Sequence, residues 1–112
     1  MNKSLGALVK SMNDNREGMR NFAINKVVAM GESIIPDMIQ LLSIREGYVQ
    51  DSAAAVLVRL GAPAIPALVE ALNSPDRTTR WAAAAALGQM GPEGTAAVDK
   101  ARKISGVLAA QG

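Results

Sequence analysis

Asp76-Arg77-Thr78-Thr79-Arg80-Trp81-Ala82-Ala83-Ala84-Ala85-Ala86-Leu87-Gly88-Gln89-Met90-Gly91-Pro92 reads as one helix and its stop signal. Asp76 offers a side-chain acceptor suited to an N-cap, with Ser74-Pro75 as a competing start. Ala83, Leu87 and Met90 recur at i, i+4, i+7, the stripe of one helical face. Gly91 can take a left-handed conformation and end the helix, and Pro92 cannot continue it. The same pattern recurs upstream without gaps: Gly31, Gly61 and Gly91 lie 30 residues apart. Met30, Leu60 and Met90 precede them, and Ala23, Ala53, Ala83 and Val27, Leu57, Leu87 keep the same phase. A period of this length marks a solenoid, in which each unit buries its apolar face against its neighbours.

A second helix is expected after each glycine. In the clearest copy Ile65, Leu68, Val69 and Leu72 form its stripe, and Pro66 sits in its first turn, where a missing N–H costs little. Pro36 holds that phase one unit earlier, with Ile35, Met38, Ile39 and Leu42 around it. Leu5, Leu8, Val9 and Met12 match a second helix with no first helix before it. The reading is therefore an all-α, short α-solenoid of helical hairpins with seven helices. Residues 1–13 form an orphan half-repeat helix. Three hairpin units follow at 14–43, 44–73 and 74–112, the last acting as a cap. In that cap Asp99 and Arg102 stand where Val69 and Leu72 stood, so the apolar stripe is expected to move to Ala97, Ala101, Ile104 and Leu108. At the other end Phe22 and Ile24 replace Ser52/Ala82 and Ala54/Ala84. Leu5, Phe22 and Ile24 are the expected contacts for a second copy of the chain, unless the orphan helix covers them.

The copy at 76–91, with Asp51 to Gly61 and Ala64-Ile65-Pro66-Ala67-Leu68-Val69-Glu70-Ala71-Leu72, resembles HEAT-like repeats of the phycobilisome-lyase type. The resemblance implies right-handed stacking, with second helices on the concave face and first helices on the convex one. It specifies the fold and leaves function open between scaffolds, chromophore lyases and DNA-repair proteins. The Arg of the family's first helix matches Arg20 and Arg80, whereas Gln50 replaces it in the middle unit, which interrupts an Asp–Arg ladder.

Composition narrows the chemistry. Hydrophobic residues make up 49% of the 112-residue chain but aromatics only 3%, so the core must be built from Ala, Leu, Val, Ile and Met. The chain has no His and no Cys, which removes the commonest general base and metal ligand and any thiolate site. Serines lack an activating partner, and no Ser-x-x-Lys occurs, so no catalytic residue, cofactor or metal is expected. Gly88-Gln89-Met90-Gly91-Pro92-Glu93-Gly94 lacks the strand and lysine of a phosphate loop and reads as a repeat stop. Asp14 with Glu17, and Ser43 with Glu46, have capping-box spacing. No signal peptide or bilayer-length apolar run is visible, so the expectation is cytoplasmic, with no membrane partner.

On the second helices one exposed row is expected: Lys10, Gln40, Glu70 and Lys100, with Ala7, Asp37, Ala67 and Ala97 beside it. Its mixed sign argues against nucleic acid, which favours a basic stripe, and the net charge is only +2. Trp81 is either a contact residue or packs over the preceding unit's first helix. The functional expectation is a non-enzymatic protein-protein interaction or scaffold module with a protein partner or a second copy. The alternatives are a lyase-like accessory subunit holding a chromophore or other small ligand, and, weakest, a nucleic-acid binder through Lys100, Arg102 and Lys103.

Overall fold

In the computed structural model, which describes residues 3–111 and side chains through residue 104, seven α-helices follow one another with no strand among the described residues. They are α1 (Lys3–Met12), α2 (Glu17–Ala29), α3 (Ile35–Leu41), α4 (Val49–Leu60), α5 (Ile65–Ala71), α6 (Arg77–Gln89) and α7 (Pro92–Gln111). Two 3₁₀ turns, Gly31–Ile34 and Ala62–Ala64, lead into α3 and α5. The sequence reading did not separate these turns from the helices they begin. Pro36 and Pro66 sit in the first turn of α3 and α5, as expected.

The helices stack in two layers. First helices α2, α4 and α6 pack in succession, second helices α3, α5 and α7 do the same, and each layer packs on the other. Helix α1 rests against α2 and α4. The repeat phase is visible in burial: α4 buries Val49, Ser52, Ala53, Val56 and Leu57, and α6 buries Thr79, Ala82, Ala83, Ala86 and Leu87. Those sets coincide after a shift of one unit. The spacing i, i+3, i+4, i+7, i+8 gives a stripe wide enough to meet two neighbours at once. Small residues at Ala53, Ala82, Ala83 and Ala86 let the backbones approach. Gly31, Gly61 and Gly91 take φ of 77°, 74° and 79°, so each follows its first helix with a positive φ that glycine adopts without steric cost.

Helix α2 departs from the pattern. It buries Ala23, Ile24 and Val27, while Phe22 and Lys26, in phase with Ser52/Val56 and Ala82/Ala86, are exposed. In α4 part of that flank meets the end of α1, where the Ser52 hydroxyl donates to the Met12 carbonyl. Helix α2 packs on both α1 and α4. Leu5 and Ile24, expected at a contact with a second copy, are instead 1% and 8% exposed within a single chain.

The cap at α7 also differs from expectation. Ala97, Val98 and Ala101 are half-buried, but Ile104 is 53% exposed. At about 1.5 Å per residue, α7 is roughly 30 Å long and its neighbour α5 only about 10 Å, so the later turns outrun their support. Leu108 lies outside the described side chains. Gly94 is buried against the end of α6, and a Cβ there would overlap the Leu87 carbonyl oxygen. Close helix approach accounts for that glycine.

Candidate functional site

The polar groups of the chain concentrate at the junctions between units. Helix ends leave carbonyls and N–H groups without intrahelical partners, and these must be satisfied locally. Asp76 caps α6: its carboxylate accepts from the Thr79 N–H at 2.8 Å and the Thr79 hydroxyl at 2.7 Å. Those bonds hold its pKa below the usual carboxylate range, helped by nearby Arg80 and Arg45.

The two expected capping boxes do not form. Asp14 instead accepts from the Arg16 N–H at 2.9 Å and from its guanidinium at 3.0 Å, and α2 opens after Arg16 without a side-chain cap. The side-chain bond from Arg16, then its backbone N–H, bring the Asp14 pKa down to about 2. Ser43 donates back to the Gln40 carbonyl at 3.0 Å, and α4 begins only at Val49.

Arg20, Gln50 and Arg80 share one task. Arg20 donates to the Asp14 carbonyl at 2.9 Å, Arg80 to the Ser74 carbonyl at 2.7 Å, and Gln50 to the Leu42 carbonyl at 2.8 Å. Each ties a first helix to the segment that follows the preceding second helix. These are backbone staples rather than rungs of an Asp–Arg ladder. The first junction is tied further: the Ser52 hydroxyl donates to the Met12 carbonyl at 2.8 Å, and the Tyr48 N–H donates to the Asn13 side chain at 2.8 Å. Arg20 also lies 4.1 Å from the Tyr48 ring centroid, a cation–π contact. At the second junction, between α3 and α4, Val49 is buried, Ile44 half-buried and Tyr48 exposed.

Two surface hollows lie near the expected binding residues. One, of about 640 Å³, is lined by Pro36, Ile39, Ala67, Glu70 and Ala71 of the second-helix layer and by the junction from Asn73 to Pro75. Of the expected row, Glu70 alone lines it. Lys10, Gln40 and Lys100 are exposed elsewhere, and Asp37 is half-buried. Ala67 is half-buried too, because the core stripe of α5 runs through Leu68 and Ala71, with Val69 and Leu72 only half-covered.

The other hollow, of about 510 Å³, is lined by Arg45, Gln50, Arg77, Thr78 and Trp81. Trp81 is 66% exposed and lines the hollow with Gln50 of α4, the preceding unit's first helix. Arg45 and Arg77 were not singled out from sequence. Arg77 opens α6 one turn before Trp81, within reach by helical spacing alone, whereas Arg45 lies in the segment before α4 and only the fold brings it beside them. Phe22 is 55% exposed, with the Lys26 ammonium 5.5 Å from its ring centroid.

No group of three or more Asp or Glu is arranged to hold a metal among the described residues. No single described helix is long and apolar enough to cross a membrane; α4 with the segment Ala62–Ala71 passes only as a pair, bent by 119°. A comparison with curated proteins finds no match. The family model of HEAT repeats matches residues 35–104, from the start of α3 into α7. HEAT repeats typically mediate protein-protein interaction or scaffolding and are typically non-enzymatic. The match covers more than half of a chain whose helices pair and stack at a constant period, and the chain belongs to the HEAT-repeat family.

Proposed function

We propose that this chain is a non-enzymatic interaction module that presents its second-helix face to a protein partner. The observation that carries the reading is the hollow between α3 and α5, where Pro36, Ile39, Ala67 and Ala71 offer apolar surface and Glu70 a charged rim. Protein contacts favour an apolar centre edged by polar groups. Each layer already rests on its neighbour, so such a surface is held rigid by the stack and loses little freedom on binding. Its one charged lining residue is the acid Glu70, which suits a protein surface better than a polyanion.

The test is affinity capture from native lysate with the intact chain and with an Ala67→Glu/Glu70→Arg variant shown by circular dichroism to be folded. The expected result is a protein enriched by the parent and lost with the variant. A monomer by light scattering that enriches nothing over the variant would refute the reading.

A further inference from the structure

We infer that the hollow around Trp81 is a second, separate docking site, which takes a short acidic segment of a protein partner with an apolar side chain against the indole. The inference rests on the interaction reading above and adds a second contact surface and its chemistry.

Three features converge there. Trp81 presents most of its surface to solvent, although its equivalents in the other units are the polar residues Asn21 and Asp51. Exposed tryptophan is expensive to leave in water and common at contact hot spots. Arg45 and Arg77 line the same hollow, both are exposed, and neither forms an ion pair among the described residues. Planar guanidiniums suit carboxylates, which they bind through two parallel N–H groups. Finally, Gln50 lies in the first turn of α4, and Arg77 and Thr78 in the first turn of α6, so two helix N-termini add positive potential on the same side.

The volume, about 510 Å³, is that of a small-ligand site and accommodates a few side chains. No carboxylate lines the hollow, although Asp76 lies near enough for Arg45 to lower its pKa. The Asp76 carboxylate is engaged by Thr79, which leaves Arg45 without a direct partner. Glu46, Asp51 and Asp76 adjoin the lining residues in sequence, so positive charge is confined to a small area. A long polyanion would meet those acids on either side. A segment with a few carboxylates and one apolar residue would not, which favours an acidic peptide over a nucleic-acid strand.

Trp81 is the only tryptophan, so its emission reports on this hollow alone. The experiment titrates the full chain with a capped hexapeptide of two leucines between four glutamates. A counterpart with glutamine replacing glutamate, and a single-stranded thymidine hexanucleotide, run in parallel. The expected result is a saturable change in emission with the glutamate peptide. Affinity should fall tenfold or more for the glutamine peptide and for R45Q/R77Q, whose substitutions are at exposed positions. An unresponsive emission, equal response to the two peptides, or binding indifferent to R45Q/R77Q would overturn the proposal. Tighter binding of the hexanucleotide would overturn it in favour of nucleic acid. A partner captured through the Ala67/Glu70 surface, with no peptide response at Trp81, would refute this site alone. No protein enriched by the parent chain over the Ala67→Glu/Glu70→Arg variant, with the peptide response intact, would refute the other.

Discussion

Gly47→Ala should unfold the chain more easily than Gly31→Ala, although both glycines have nearly the same positive φ. Gly31 has φ 77° with nothing within 4 Å of the position where a Cβ would stand. Gly47 has φ 70°, and its Cβ would overlap the Asn13 side-chain oxygen. A left-handed alanine costs about 1–2 kcal/mol, and that cost is common to both variants. At Gly47 the clash also displaces Asn13 from the Tyr48 N–H, a hydrogen bond worth about 0.5–1.5 kcal/mol net. The expected losses are therefore about 1–2 kcal/mol for Gly31→Ala and about 2–3 kcal/mol for Gly47→Ala. Asn13→Ala removes both the clash and the bond beforehand. In that background Gly47→Ala should cost only the backbone component, leaving a coupling of about 1 kcal/mol between the two sites. Urea unfolding by far-UV circular dichroism measures all four states of the cycle, with a constant m-value as the check that unfolding stays comparable. Equal costs for the two glycines, or no coupling to Asn13, would refute the claim that Asn13 ties α1 to the start of α4.

Leu57→Ala and Leu87→Ala each remove a fully buried side chain at the same repeat phase and should each cost about 2–5 kcal/mol by urea unfolding. Ser52→Ala should cost about 1–3 kcal/mol, because the Met12 carbonyl loses its donor in a buried setting. Trp81→Ala should change stability by no more than about 0.5 kcal/mol, since its side chain is largely in water. The Asp14 carboxyl should titrate near pH 2 by NMR, and Arg16→Gln should return it towards 3.8. Its folded-state pKa is depressed, so the stability it contributes is complete above the unfolded value near 3.8 and is lost as pH falls through about 2.

The helices were legible because a constant period and a constant burial phase are the same fact seen twice. Ala53/Leu57 and Ala83/Leu87 recur in sequence because the same neighbour contacts recur in space. Legibility failed where a residue's surroundings break that repetition. Phe22 shares its phase with buried Ser52 and Ala82, yet it is exposed; Ser52 at that phase is held against the end of α1 by its bond to the Met12 carbonyl, and Phe22 has no such hydroxyl. Ile104 fits the apolar stripe of α7 but has outrun α5. The capping boxes failed for a different reason. Ser43 and Glu46 have the right separation, but a spacing motif does not say where a helix begins, and α4 starts three residues beyond Glu46.

The candidate site was less legible because its members come from different units. Trp81 stood out as the lone tryptophan and Arg77 lies one helical turn before it, a pairing that spacing alone could have found, whereas Arg45 is an ordinary surface cation until the fold brings the segment before α4 beside α6. A usable signal did exist at the neighbouring phase. Arg20, Gln50 and Arg80 occupy one repeat position, and Gln50 looked like a break in a charged ladder. The structure shows that the position needs a donor and not a charge. Each Arg reaches the carbonyl six residues before it, Asp14 or Ser74, while Gln50 takes the carbonyl of Leu42 just past the end of α3. Glutamine still satisfies an orphan carbonyl because its amide N–H serves as well as a guanidinium N–H. Its neutrality has a consequence at the hollow it lines: with no third cation there, Arg45 and Arg77 supply all the side-chain positive charge, and the acidic segment proposed above would have its carboxylates met by those two groups.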